Sequence, residues 1–537
     1  MCLHAVLDSA IGMLDIAFLG GLLLVINFYT TNNLPASYIH FLPFANKNSL
    51  ALLSIFLVLF SLKNCGGYLL AGKQQTFFYS VASRLSKRNM LRYLHGGYAQ
   101  FVNTDSSVSF RKISQQPIEF SNYILTNVQQ IISQSILIIF TIVGILFYHP
   151  ALFLSLFLLL IPPVTLLAFF IKKKLTKVRA NIKASSQLTI QHLQESLSGY
   201  VESNVYDKDG FFTDRYYHYQ QEMNDNIATQ QTLQNLPSRL IEIFAVLGFF
   251  ILIAVNKFST SGPAVSLFTI GVFMAAAYKI IPGIIKILNS AGQIKTYRFT
   301  LDDLALPAGQ TPLAKTINPG HITSVQFEGV HFKYQQHSIL NGIGFQILPG
   351  DFAGMSAPSG KGKTTILNLL LGFLEPDSGA IYFNDKTTSC SDRQTYRTKI
   401  SYVKQQPFFI HDSILKNITL ADDQYDRQKL EEVIAFCGID RLLEKYPEGL
   451  EKVIKENGKN ISGGQRQRIM LARALYHDFD LLILDEPFGE MDDDSEGVIL
   501  SNLQSLAQSG KMILFITHNK GSLSFCNKIF SPDEEYA

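Results

Sequence analysis

The fold of this chain turns on residues 351–365, Asp351-Phe-Ala-Gly-Met-Ser-Ala357-Pro358-Ser359-Gly360-Lys361-Gly362-Lys363-Thr364-Thr365. The run Asp351–Ser356 reads as a strand, and Thr365–Gly372 reads as the helix that follows it. Between them the glycines let the backbone curl so that its amides face one point, where the helix N-terminus adds its dipole. Such a loop cradles phosphate. Lys363 would meet the outer phosphates of a nucleoside triphosphate, Thr364 would hold Mg²⁺, and Lys361 adds charge nearby. Alone, the segment competes with a plain glycine turn between a strand and a helix.

Four further segments remove that competition. Leu481-Leu-Ile-Leu-Asp485-Glu486 reads as a buried strand ending in two carboxylates. Asp485 suits a Mg²⁺ ion approached through water, and Glu486 suits the orientation or deprotonation of an attacking water. Ile461-Ser462-Gly463-Gly464-Gln465 opens a second helix, Arg466–Tyr476, and offers a hydroxyl and free amides to another phosphate. His518 follows the strand Met512–Thr517, placed to contact a γ-phosphate, and Gln405 follows the strand Ile400–Lys404. One Glu, His or Gln is usually structural; five such segments in this order point to ATP chemistry.

Composition divides the chain between two solvents. Of 537 residues 47% are hydrophobic and 17% charged, too apolar for a wholly soluble protein and too polar for a membrane domain alone. A net charge of +3 excludes nucleic acid as the expected partner. The five cysteines are scattered without metal spacing and read as reduced thiols. Before residue 300 six apolar stretches approach the ~20 residues that cross a bilayer: Ile11–Tyr29, Leu50–Ala71, Ile131–Tyr148, Ala151–Ile171, Ile241–Val255 and Ala264–Ile285. Lysines and arginines cluster after the second stretch (Lys73, Arg84, Lys87, Arg88, Arg92) and after the fourth (Lys172, Lys173, Lys174, Lys177, Arg179). The positive-inside rule therefore places both termini in the cytoplasm. The first stretch has no basic lead or cleavage site before it and reads as a membrane helix rather than a secretory signal.

The expected organisation is a six-span α-helical membrane domain over 1–305 with long cytoplasmic helical extensions, a linker over 306–319, and an α/β P-loop ATPase domain over 320–537. Leu306-Pro-Ala-Gly-Gln-Thr-Pro312 has linker character. Short β-branched strands alternating with helices begin after it.

At these residues the chain resembles the ABC transporter superfamily, specifically its exporter-type half-transporters. Ala357–Thr364 is similar to Walker A, Gln405 to the Q-loop, Ile461–Gln465 to the signature, Leu481–Glu486 to Walker B, Gly489–Asp492 to the D-loop, and His518 to the switch histidine. The resemblance implies that Tyr334, in Phe332-Lys-Tyr, stacks on adenine, and that Gln405 joins Thr364 and Asp485 around Mg²⁺. It implies also that Ser462, Gly463, Gly464 and Gln465 complete the ATP site of a second copy or of a related half-transporter. Departures are Ala357 for glycine, Ile461 for leucine, Gly489-Glu-Met-Asp492 for Ser-Ala-Leu-Asp, and a short tail after His518. None removes a reacting group.

Ionisable side chains inside apolar helices are functional candidates. Lys63, Lys279 and Glu242 would all lie toward the inner leaflet, where two lysines could meet an anionic headgroup and Glu242 could pair one of them without substrate. Leu236-Pro-Ser-Arg239-Leu-Ile-Glu242 and Ala277-Tyr-Lys279-Ile-Ile-Pro282 resemble flippases of lipid-linked oligosaccharides, with Arg239 displaced by one position and Lys279 in place of Arg. The expected activity is ATP-driven movement of a lipid-linked glycolipid across the plasma or inner membrane. A peptide or drug exporter is the alternative, and an ATP-gated channel or regulatory protein would need degenerate catalytic residues. An ABC ATPase of translation or repair is incompatible with six spans.

Overall fold

The computed structural model describes residues 2–30, 50–96, 98, 102, 104–148, 169, 174, 177–178, 180–258, 267–304, 320–356, 361–421, 424–455 and 458–531. Its contacts divide the chain into two units, Met1–Gly96 with Gln100–Gln310, and Gly97–Ala99 with Thr311–Ala537.

The first unit is helical. Its long helices are Cys2–Thr30, Ala51–Leu94, Thr126–Tyr148, Asp209–Phe258 and Leu267–Thr296. Five of the six apolar stretches fall largely within them, while nearly all of 151–171 lies outside the described residues. Ala51–Leu94 has 44 residues and Asp209–Phe258 has 50. At ~1.5 Å per residue, each is more than twice the ~30 Å hydrocarbon thickness of a bilayer. Among the described residues two helical runs, Ala51–Leu94 and Ser106–Gly144, are long and apolar enough to cross a membrane. No residue in the most apolar part of the first run is buried among the described residues. Leu57, Leu62 and Leu69 on it are exposed. The structure thus carries a helical N-terminal region, while the count of six rests on the sequence.

Two π-type turns, Arg111–Gln115 and Phe120–Leu125, flank a short α-helical turn that carries Pro117. Proline has no N–H to offer the carbonyl four residues back, and a widened turn accommodates that loss. Lys63 pairs with Asp15 of helix Cys2–Thr30 and lies 4.6 Å from the ring centre of Phe60 and 5.7 Å from that of Phe18. A charge among apolar rings needs such a partner. Lys63 therefore has Asp15 as its partner, one the sequence reading did not name. The side chains of Glu242 and Lys279 lie outside the described residues.

The second unit is an α/β domain. Strands β1 (Val325–Tyr334), β2 (His337–Ile347), β4 (Ser378–Phe383) and β5 (Lys386–Thr387) form an antiparallel sheet in the order β2-β1-β4-β5. A second sheet has the order β11-β3-β10-β9-β6, built from β3 (Phe352–Met355), β6 (Ile400–Val403), β9 (Leu481–Asp485), β10 (Met512–Ile516) and β11 (Lys528–Phe530). All its pairings are parallel. Parallel strands with helices on both faces are buried throughout, which explains why β3 and β10 consist of fully buried residues. Two apolar clusters fill the space on either side of this sheet, one around Ile469, Leu482 and Phe515, the other around Ile366, Ile483 and Leu514.

Candidate ATP site

The register of the parallel sheet brings the sequence motifs together. Met355 pairs with Ile516, Ile516 with Asp485, and Leu484 with Val403. The segments that leave these strands, toward Lys363, His518, Glu486 and Gln405, therefore emerge side by side at one edge. Ligands of open α/β sheets bind outside the carboxyl ends of the strands.

Helix Lys363–Leu370 begins after Gly362, whose φ is +83°. A Cβ at Gly362 would fall 2.6 Å from Leu340 Cδ2. Both the left-handed backbone and the space require glycine there. Thr365 is buried and Thr364 exposed, so the hydroxyl turned outward is that of Thr364. Ala357, Pro358, Ser359 and Gly360 lie outside the described residues. Lys361 is exposed.

Glu486 is the hub. Lys363 Nζ pairs with its Oε1, Gln405 Nε2 donates to its Oε2 at 2.8 Å, and His518 Nδ1 lies 3.7 Å from Oε1. Its own N–H donates to the Ile516 carbonyl at 2.9 Å, which anchors it to β10 despite a φ of +48°. A non-glycine residue in the left-handed region is held by its surroundings, and such positions cluster at functional sites. The bond from Lys363 leads in holding the Glu486 carboxyl below its ordinary range. The neighbouring Asp485 moves the other way, pushed up first by burial and also by the charge of Glu486. Tyr402 Oη donates to Asp485 Oδ2 at 3.3 Å and opposes that rise. Adjacent carboxylates driven apart in acidity are what an acid–base site needs.

The second helix N-terminus is capped by its own residues. Ser462 Oγ accepts from the Gln465 N–H at 3.4 Å, and Gln465 Oε1 accepts from the Ser462 N–H at 2.9 Å. This reciprocal box leaves the amides of Gly463 and Gly464 as first-turn donors without intrahelical partners. Asp492 caps the next helix, Asp493–Gln508, by accepting from the Ser495 N–H at 2.9 Å, and that bond holds its carboxyl low. Tyr334 is half exposed, with its ring edge-on to Phe332 at 4.9 Å.

Three features escaped the sequence. The Lys363–Glu486 pair joins residues 123 apart. Tyr402 reaches Asp485 from the neighbouring strand, a contact that an alternating pattern in Ile400–Val403 could have suggested. Asp15 carries its own signal, as a carboxylate inside the apolar stretch Ile11–Tyr29.

The ABC transporter family model matches residues 340–489. The mycobactin import ATP-binding/permease protein IrtB of Mycolicibacterium thermoresistibile is 30% identical over 43% of this chain, an alignment that spans 39% of that protein. The ATP-dependent lipid A-core flippase of Paraburkholderia xenovorans is 24% identical over 86% of this chain and 78% of its own. Among solved structures, a bacterial Atm1-family ABC exporter with ATP bound superposes with a TM-score of 0.81 at 18% identity, covering 99% of this chain and 93% of that one. The chain therefore carries an ABC transporter domain joined to a helical N-terminal region, with the fold of that exporter.

Proposed function

We propose that the chain is an exporter-type half-transporter that hydrolyses ATP to move a lipid-linked glycolipid across the plasma or inner membrane, working as a dimer of itself or with a related chain. The observation that carries the ATPase half is the convergence of Lys363, Gln405 and His518 on the single carboxylate of Glu486. With ATP in place Lys363 turns from Glu486 to the outer phosphates, and Glu486 is released to take a proton from water. Tyr334 stacks on the adenine, and residues 357–365 line the phosphates. His518 and Gln405 hold either side of the reacting centre.

Mg²⁺ fits the donors present. The exposed Thr364 hydroxyl, the Gln405 amide and the Asp485 carboxylate are hard oxygen ligands, and a cation would favour the charged form of Asp485 that burial disfavours. The ion would neutralise charge on the transferred phosphoryl group.

A sequence likeness that reaches into the helical half is to lipid A-core flippases, which supports an anionic glycolipid as cargo. Lys63 and Lys279 would receive its headgroup, which would take the place of Asp15 at Lys63. The six spans, with the N-terminus and ATPase domain in the cytoplasm, remain the reading of the basic clusters. Glu486→Gln tests the ATPase assignment. Steady-state hydrolysis should fall below a tenth of wild type while ATP binding persists, since the amide fits the site but accepts no proton. Turnover above that level would remove Glu486 as the base.

A further inference from the structure

Glu490 stands where the exporter pattern carries alanine, and its side chain lies on the signature helix. Arg466 Nη2 pairs with its Oε2 at 2.7 Å, and the Glu490 N–H donates to Gln467 Oε1 at 3.2 Å. A Cβ on Gly463 would fall 2.6 Å from Glu490 Cδ and 2.8 Å from its Cβ. On Gly464 it would lie 3.3 Å from the Glu490 carbonyl oxygen. The two glycines are thus the floor on which this acidic residue rests. With Ser462 and Gln465 engaged in the capping box, their amides are the positive end offered to a phosphate.

We propose that Glu490 is a resident anion on the signature helix, and that the γ-phosphate of nucleotide on the second copy displaces it when the dimer closes. The proposal rests on the reading that the signature completes the site in trans. Two anions repel at one helix terminus, so the carboxylate opposes closure until it leaves. Arg466, freed from it, then faces the incoming phosphate. Glu490 is four residues from Glu486 in the same connection, so its departure moves the loop that carries the base. Closure on one copy's nucleotide is in this way reported to the other copy's own Glu486.

The experiment uses the full-length chain in lipid nanodiscs, in a Glu486→Gln background, with closure read by distance probes on the two ATP-binding units during Mg-ATP titration. Glu490→Gln and Glu490→Ala should each lower the half-closing ATP concentration roughly twofold to fivefold, the range of a charge at a helix terminus. Added salt should promote closure with Glu490 present, by weakening its pair with Arg466, and should lose that effect in both variants. ATP binding in a Ser462→Arg background, which cannot close, should be the same with or without Glu490. A half-closing concentration that is unchanged or higher in both variants would overturn the guard. If the Glu486→Gln parent never closes with ATP, the in-trans reading falls and takes the guard with it. That outcome is separable from a parent that closes but is indifferent to residue 490.

Discussion

Glu486 binds Lys363, Gln405 and His518 at once, so its charge contributes to folding before it contributes to chemistry. Its carboxyl is held below the ordinary value of 4.5, chiefly by Lys363. A carboxyl with a depressed folded pKa stabilises the fold at pH above its unfolded value, and that contribution is lost as pH falls through the folded value. Asp485 has the opposite shift and is present in both proteins to be compared. Nucleotide-free wild type should therefore melt about 2–4 °C above Glu486→Gln at pH 7, as ~1 kcal/mol does in a unit of this size. The gap should close as pH drops below 4.5. A gap that widens on acidification would contradict the pairing. The roles of Lys363 and Glu486 were legible from their motifs, because each type matches one step of phosphoryl transfer. Their attachment to each other was not, since no local pattern relates two strand ends so far apart in the chain.

At the scale of elements, the parallel sheet was legible because its strands are short apolar runs bounded by chemistry-bearing loops. Leu481-Leu-Ile-Leu and Met512–Ile516 are of this kind, buried on both faces. The capping box at Ser462 was legible only in part: the sequence offered a hydroxyl for phosphate, and the structure shows it accepting from the Gln465 N–H. The signature helix thereby leaves the amides of Gly463 and Gly464 outside its own cap. Ser462→Arg would place a long cation over those amides and block their approach to a second copy's nucleotide. Closure of the dimer should be abolished, with nucleotide affinity of the open chain within about twofold, since the Lys363 loop is a separate element. The cap itself is worth ~1 kcal/mol, so Ser462→Ala should lower the melting temperature slightly and still permit closure. Equilibrium binding of a fluorescent ATP analogue, beside cross-linking of the two ATP-binding units, separates these outcomes. A collapse of affinity in the open chain would refute assignment of Ser462 to the partner's site.

Across the whole molecule, the proposed cargo site rests on charges in the helical unit. Long helices were legible from apolar stretches followed by basic, helix-forming connections, as Ala51–Leu94 illustrates. The pairing within the unit was hidden, because Lys63 and Asp15 lie 48 residues apart on different helices. That pair makes the cargo test sharper. If Lys63 and Lys279 receive an anionic headgroup, changing both to Gln should abolish lipid-stimulated ATP hydrolysis. Basal hydrolysis should survive, since Lys363, Gln405, Glu486 and His518 belong to the other unit. Lys63→Gln alone takes from Asp15 its lysine partner, and removing one member of this part-buried pair is destabilising. The double variant is therefore best made with Asp15→Asn, which removes the facing carboxylate charge together with the lysines. In that triple variant, reconstituted with lipid A or with a neutral glycolipid, stimulation by the anionic lipid should disappear. Its salt dependence should disappear with it, because the charge–charge attraction that ionic strength weakens is gone. Parallel loss of basal and stimulated rates in the triple variant, with Asp15→Asn alone behaving in the same way, would locate the defect in helix packing. Stimulation equal to wild type, with the same salt dependence, would exclude the lysines from the cargo site and give the peptide or drug exporter equal standing.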